Sequence, residues 1–213
     1  YFSATMKKKI SIIGSTGSVG LTTLAILDKK KTSFKVNLLS ANKNYKKICE
    51  QIQKYNPEIF IINNKKTFTK IKLKFKRKKI KILNNFDGLK NLKTSDVTIT
   101  AIPGIEGLKP TIFMTRRSKK ILLANKESII CGWDLIKSTS KKNNTRLIPV
   151  DSEHFSLMNL LNNHKNDEIE KIYLTASGGP FLNFKVHQLK KILPKQALRH
   201  PKWKMGKKIS VDS

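Results

Sequence analysis

Short apolar blocks alternate along this chain with longer polar stretches, and the blocks read as strands. They fall at residues 9–13, 34–39, 59–62, 79–83, 97–102, 121–124 and 146–149, rich in Ile, Leu, Val and Phe and mostly closed by Gly, Asn, Pro or Ser. Candidate helices lie between them, for example at 21–27 after the first block and 45–55 after the second. This alternation predicts an α/β fold with a doubly wound, Rossmann-type, mostly parallel sheet. The same reading divides the chain into a domain at 6–149 and the start of a second, α+β domain at 150–213, with a strand at 171–176 and a helix near 186–193. No internal repeat is evident.

Composition narrows the class. With 213 residues and 38% hydrophobic content, the chain can build one large or two modest cores. No apolar run approaches the roughly 20 residues needed to span a bilayer. Tyr1 to Thr5 is too short for a signal peptide, no transit sequence is visible, and Met6 reads as the natural start. Cys49 and Cys131 lie far apart without metal-ligand spacing, which argues against a disulfide framework or zinc site and for a reducing, cytoplasmic setting.

The net charge of +30 raises nucleic acid as a ligand. Only five of the 44 basic residues are arginine, however, and arginine is the side chain that reads phosphates and bases bidentately. The densest basic stretch, 70–81, alternates Ile71, Leu73 and Phe75 with lysines and reads as a solvated surface element. No specific nucleic-acid partner and no membrane partner is expected.

Candidate chemistry begins directly after the first strand. Gly14, Gly17 and Gly20 form a G-x-x-G-x-x-G variant of the dinucleotide fingerprint, in which glycines let the backbone approach a pyrophosphate at a helix N-terminus. At the end of the second strand, where an NAD site places an acid for the ribose hydroxyls, the chain reads Ser40-Ala41-Asn42-Lys43-Asn44. Lys43 can meet the additional phosphate of NADP, so NADPH is expected in preference to NADH.

After the seventh block comes Val150-Asp151-Ser152-Glu153-His154. In an extended segment, side chains two apart share a side, so Asp151 and Glu153 could close on one hard divalent cation. A helix N-terminus is the competing reading, with Asp151 or Ser152 as cap and Glu153 complementing the helix dipole.

Three further segments carry polar or Gly-rich loops: Leu123-Ala124-Asn125-Lys126-Glu127-Ser128, Thr175-Ala176-Ser177-Gly178-Gly179-Pro180-Phe181, and the stretch from Arg199 to Ser213. With the glycine turn and the Asp-x-Glu run, in this order, they resemble the 1-deoxy-D-xylulose 5-phosphate reductoisomerase family over essentially residues 6–213. The resemblance implies an NADP-dependent oxidoreductase of non-mevalonate isoprenoid biosynthesis. Its reaction would be a metal-assisted rearrangement of a phosphorylated ketose, then hydride transfer, giving 2-C-methyl-D-erythritol 4-phosphate.

Carried over by position, Thr16, Gly17, Ser18 and Val19 match the pyrophosphate loop, and Asn42, Lys43 and Asn44 the second nucleotide segment. Asn125, Glu127 and Gly206 would also touch cofactor. Asp151 and Glu153 would ligate Mg²⁺, Mn²⁺ or Co²⁺. Lys126, Ser152, Glu153, Ser177, His200, Trp203 and Ser213 would contact substrate, with Lys126, Glu153 and His200 as the catalytic set. His200 and Trp203 fall in a segment resembling the family's mobile flap. Full-length members imply a homodimer.

Two departures stand out. Pro103 and Glu106 occupy positions where the family has small or apolar residues, and the motif containing Ser213 would continue into a third acidic metal ligand, followed by a helical C-terminal domain. A truncated chain is therefore expected, one that binds NADPH and turns over little substrate. Alternatives from other classes are a non-catalytic NADP-binding remnant and another NADP-linked dehydrogenase, for instance one acting on a semialdehyde.

Overall fold

The apolar blocks become the strands β1 (Lys8–Ile13), β2 (Phe34–Ala41), β3 (Ile59–Ile62), β4 (Lys81–Leu83), β5 (Ser95–Thr100), β6 (Ser118–Leu123) and β7 (Arg146–Pro149). They pair in one sheet of order β4-β3-β2-β1-β5-β6-β7, every neighbour parallel. This computed structural model describes residues 6–30, 32–89, 94–175, 178–202 and 210–211. The chain divides into two compact units, one through Met158 that holds the whole sheet and one from Asn159 onward.

Parallel strands need crossovers, and helices supply them. They are α1 (Ser18–Lys29), α2 (Tyr45–Tyr55), α3 (Lys65–Lys74), α4 (Leu108–Thr115) and α5 (Lys126–Asn143). One face of the sheet buries Ile10, Ile12, Leu39 and Phe60 against Leu24 and Leu27 of α1, Ile48 and Ile52 of α2, and Ile71 of α3. The other buries Ile13, Leu38, Ile61, Ile121 and Leu123 against Met114 of α4. Each such side chain contributes roughly 1.5–3 kcal/mol by leaving water, so this two-sided burial is the main term holding the sheet together.

Asparagine repeatedly turns strand into helix. Asn44 Oδ1 accepts from Lys47 N at 3.1 Å, Asn64 Oδ1 from Thr67 N at 3.0 Å and Asn125 Oδ1 from Ser128 N at 2.9 Å, capping α2, α3 and α5. At the opposite sheet edge, Asp96 accepts from Lys9 N at 2.8 Å and pairs with Lys119 at 2.8 Å. These contacts, the Lys119 hydrogen bond foremost, hold its carboxyl below the usual range.

Three expectations change. The basic stretch after residue 70 is in part helix, and it is not wholly solvated: Ile71 and Phe75, four apart, are buried while Leu73 is 75% exposed. Helical spacing puts the first two on one face. Residues 171–175 form no strand and are all exposed, and Ala176 lies outside the described residues. The helix near 186–193 is only α7 (Val186–Leu189), followed by α8 (Pro194–Ala197). Pro194 keeps Leu193 extended, at ψ 147°, because the residue before a proline is disfavoured in the helical region. Between β7 and α7 runs one longer helix, here α6 (Ser152–Leu161), and none of its residues is buried.

Candidate active site

In a parallel sheet all strands end on one edge, and ligands bind there, outside the switch point of strand order. The switch lies between β1 and β5. The segments 14–19, 42–44, 101–106, 125–127 and 150–153 follow the ends of β1, β2, β5, β6 and β7. Neighbouring strands lie about 4.8 Å apart, so the ends of β1 and β7, three spacings apart, are separated by roughly 15 Å. One sugar phosphate and the reactive end of a dinucleotide fit that distance.

The glycine turn is held by its surroundings. Gly14 has φ +93°, and a Cβ there would sit 2.8 Å from the Ala101 carbonyl oxygen. At Gly20 a Cβ would collide with the Gly14 carbonyl and the Ser15 backbone, so helix and turn pack as closely as they do only with glycine. The Ser40 carbonyl accepts from Gly14 N at 3.2 Å and Ser15 N at 2.8 Å, tying the turn to β2.

The face toward solvent differs. Thr16 is half-buried, Gly17, Ser18 and Val19 are exposed, and Gly17 caps α1 without any side-chain hydrogen bond. A helix start with no capping side chain presents N–H groups to an anion. A Cβ at Gly17 would meet nothing nearer than the Gly14 carbonyl at 3.5 Å. The turn therefore has the donors and the room that a pyrophosphate requires.

Asn42, Lys43 and Asn44 are exposed after β2, and Asn44 spends its carbonyl on the α2 cap. Asn125 is almost wholly buried, 2% exposed. Its Oδ1 caps α5, and its Nδ2 donates to the carbonyls of Ile102 and, at 2.9 Å, Gly104. Both amide hydrogens are thus used inside the protein, joining the end of β6 to the loop after β5. Lys126, the next residue, is exposed, and Glu127 is half-buried in the first turn of α5. Pro103 and Glu106 are exposed in the loop that Asn125 holds.

At β7 the extended geometry assumed for Asp151 and Glu153 is not found, since the chain turns into α6 at Ser152. Asp151 stands at the helix start: its carbonyl accepts from Phe155 N at 3.0 Å and its Oδ2 from His154 N at 3.4 Å. The same oxygen lies 2.6 Å from His154 Nδ1. Ser152 Oγ donates to Glu153 Oε2 at 3.1 Å, and Glu153 is exposed. Capping and cation binding are compatible here, because a capping carboxylate keeps spare lone pairs. Among the described residues no group of three His, Cys, Asp or Glu could hold a metal. Two hard oxygen donors suit Mg²⁺, which retains several waters and substrate oxygens.

In the second unit Gly178 and Gly179 have φ +77° and +61° in succession. His200 is half-buried, and its Nδ1 accepts from Lys202 N at 3.2 Å. Ser177, Trp203, Gly206 and Ser213 lie outside the described residues.

Two residues of the site escaped the sequence reading. Ser15 and Gln51, both buried, hydrogen-bond to each other beneath the glycine turn. A signal existed: Gln51 is a polar residue among the buried Ile48, Cys49 and Ile52 of α2.

A doubly wound parallel sheet with an open glycine-turn helix at its switch point defines a dinucleotide-binding α/β protein. Family models narrow this class. That of 1-deoxy-D-xylulose 5-phosphate reductoisomerase matches residues 10–132, and that of the same enzyme's C-terminal domain matches residues 147–213. The chain belongs to the 1-deoxy-D-xylulose 5-phosphate reductoisomerase family.

Relatives of that name are 47% identical in Pelagibacter ubique and 44% in Clostridium novyi, each match covering 97% of this chain and 54% or 55% of the relative. The chain thus spans about half their length. Among solved structures, a reductoisomerase with NADPH, fosmidomycin and magnesium superposes with TM-score 0.84 at 30% identity, over 96% of this chain and 54% of the other. The Zymomonas mobilis enzyme with NADPH gives 0.85 at 30% identity, over 98% and 54%.

Proposed function

We propose that this chain forms the NADPH-binding part and the start of the metal- and substrate-binding part, residues 6–149 and 150–213, of a 1-deoxy-D-xylulose 5-phosphate reductoisomerase. The full-length protein would convert that ketose phosphate to 2-C-methyl-D-erythritol 4-phosphate in the cytoplasm. The observation that carries this reading is the gathering of the glycine turn, the Lys43 segment, Lys126 and Asp151–Glu153 at one edge of one parallel sheet. Relatives solved with NADPH and with magnesium support it.

The residues divide the work as follows. The amides of 16–19 at the start of α1 hold the pyrophosphate, and Lys43 meets the 2′-phosphate. Asn42, Asn44, Asn125 and Glu127 complete the nucleotide site, together with Gly206. Asp151 and Glu153 provide oxygen ligands for Mg²⁺, with Mn²⁺ or Co²⁺ as substitutes. When bound, the cation polarises adjacent substrate oxygens and NADPH supplies the hydride.

Lys126, at the first turn of α5, brings a mobile cation to developing oxyanion charge. Ser152 lies beside the ligands and orients the substrate. Ser177, preceding the two left-handed glycines, and Ser213 bind its phosphate through hydroxyl and backbone donors. His200 and Trp203 close over the substrate and exclude water before reduction.

The test uses the protein at the full length of its relatives, following NADPH oxidation with 1-deoxy-D-xylulose 5-phosphate and Mg²⁺. Asp151→Asn keeps a capping oxygen but removes the ligand charge. It should lower kcat at least roughly a hundredfold with NADPH affinity unchanged, as expected for removal of metal-ion stabilisation worth several kcal/mol. Full activity in Asp151→Asn, or turnover that survives removal of all divalent metal, would overturn the assignment. The same preparation should sediment as a homodimer.

A further inference from the structure

Beneath the glycine turn lies a buried polar contact that a core helix would ordinarily avoid. Gln51 is 4% exposed and Ser15 fully buried. Ser15 Oγ donates to Gln51 Oε1 at 2.7 Å, and Gln51 Nε2 donates to the Ser15 carbonyl at 2.9 Å. The orientation of the amide follows from chemistry, because a carbonyl can only accept and so the NH₂ must face it. Ser15 also lies against β2, where the Ser40 carbonyl accepts from its N–H at 2.8 Å and is a second acceptor within reach of its hydroxyl at 3.1 Å.

Burying an amide side chain is costly unless its groups are paired. An apolar residue between Ile48 and Ile52 would serve the core equally well, so packing does not account for glutamine at this position. Its polar ends do account for something else. They grip Ser15, the buried turn residue directly after the left-handed Gly14 and two before the exposed Gly17, and they do so from α2, whose N-terminal cap is Asn44 of the second nucleotide segment. One side chain therefore fixes the pyrophosphate turn relative to the helix that follows Lys43.

We propose that Gln51 is a positioning residue for the cofactor, holding the glycine turn through Ser15 in the register that lets one dinucleotide engage residues 16–19 and 42–44 together. The proposal rests on the NADPH reading above. Gln51 itself touches no ligand; its effect passes through the Ser15 carbonyl and hydroxyl.

The experiment measures affinity of the folded protein for NADPH and for adenosine 2′-monophosphate, a probe that carries the 2′-phosphate but no pyrophosphate. Gln51→Met fills nearly the same volume without either hydrogen bond, and Ser15→Ala removes one of them without touching α2. Titrations run well below each variant's Tm. Either variant should weaken NADPH roughly tenfold, the effect of one or two lost buried hydrogen bonds, while adenosine 2′-monophosphate binds within about twofold of wild type. The double variant should be no worse than the weaker-binding single, as expected for two ends of one interaction.

A lowered Tm with NADPH affinity unchanged would make the contact purely structural and overturn the proposal. So would equal weakening of both probes. Should Gln51→Met fail to fold, Ser15→Ala alone decides by the same split. Failure of the wild-type chain to bind NADPH would overturn the cofactor reading and this proposal with it, whereas wild-type binding with unaffected variants overturns this proposal alone.

Discussion

Gly17 and Gly20 have the same side chain and opposite reasons for it. At Gly20 a methyl group has nowhere to go, since the Gly14 carbonyl and Ser15 backbone already occupy the space. Gly20→Ala should therefore destabilise the fold by roughly 1–3 kcal/mol, as overpacking does, with a matching fall in urea midpoint. At Gly17 the methyl is accommodated, so Gly17→Ala should cost only the difference between glycine and alanine at an N-cap, roughly 0.5–1 kcal/mol. It should nevertheless weaken NADPH at least roughly tenfold, because the approach of the pyrophosphate is what the missing Cβ permits. Stability loss at Gly17 with full nucleotide affinity would show that this turn serves packing only. Residue identity alone announced the glycine turn, but which glycine serves fold and which serves ligand depends on how the turn folds back, pressing the Gly14 carbonyl and Ser15 backbone against Gly20 and leaving Gly17 clear.

Elements show the same division between local pattern and tertiary context. The strands were legible because a buried parallel strand is a near-continuous apolar run, and all seven formed close to where the blocks lie. Residues 171–175 have a similar run yet form no strand, since apolar residues make a strand only where a partner completes the hydrogen bonds. The alternation of Ile71, Leu73 and Phe75 suggested a solvated element, and helical spacing instead buried two of the three.

The family resemblance places Asn125 at the cofactor, and the structure gives its side chain a further task, the α5 cap and the carbonyls of Ile102 and Gly104. Asn125→Ala should lose a cap worth about 1 kcal/mol and leave two part-buried carbonyls short of a donor at about 1–3 kcal/mol. We expect a total loss of roughly 2–4 kcal/mol in chemical denaturation. A loss under about 0.5 kcal/mol would contradict the bridging role.

For the whole molecule, topology does what no single motif can. A parallel doubly wound sheet delivers every strand end to one edge, so segments as far apart in sequence as 14–19 and 150–153 become neighbours within roughly 15 Å. That convergence was foreseeable once the alternation of strand and helix was read. The turn of 150–153 into α6 was not, because Asp and Ser suit both an extended metal-binding run and a helix cap. The charge of +30 likewise names no ligand by itself. Lysine on the surface reports on solvation, and the proposed 2′-phosphate contact falls to Lys43 only because of its place after β2.

The central claim, that this sheet edge is an NADP site, is tested most directly by calorimetric titration of the chain with NADPH and, in parallel, NADH. We predict saturable one-to-one binding of NADPH, tighter than NADH by at least roughly tenfold, the contribution of one additional charge-assisted contact to the 2′-phosphate. A demonstrably folded chain that binds neither nucleotide, or binds NADH as tightly as NADPH, would contradict it.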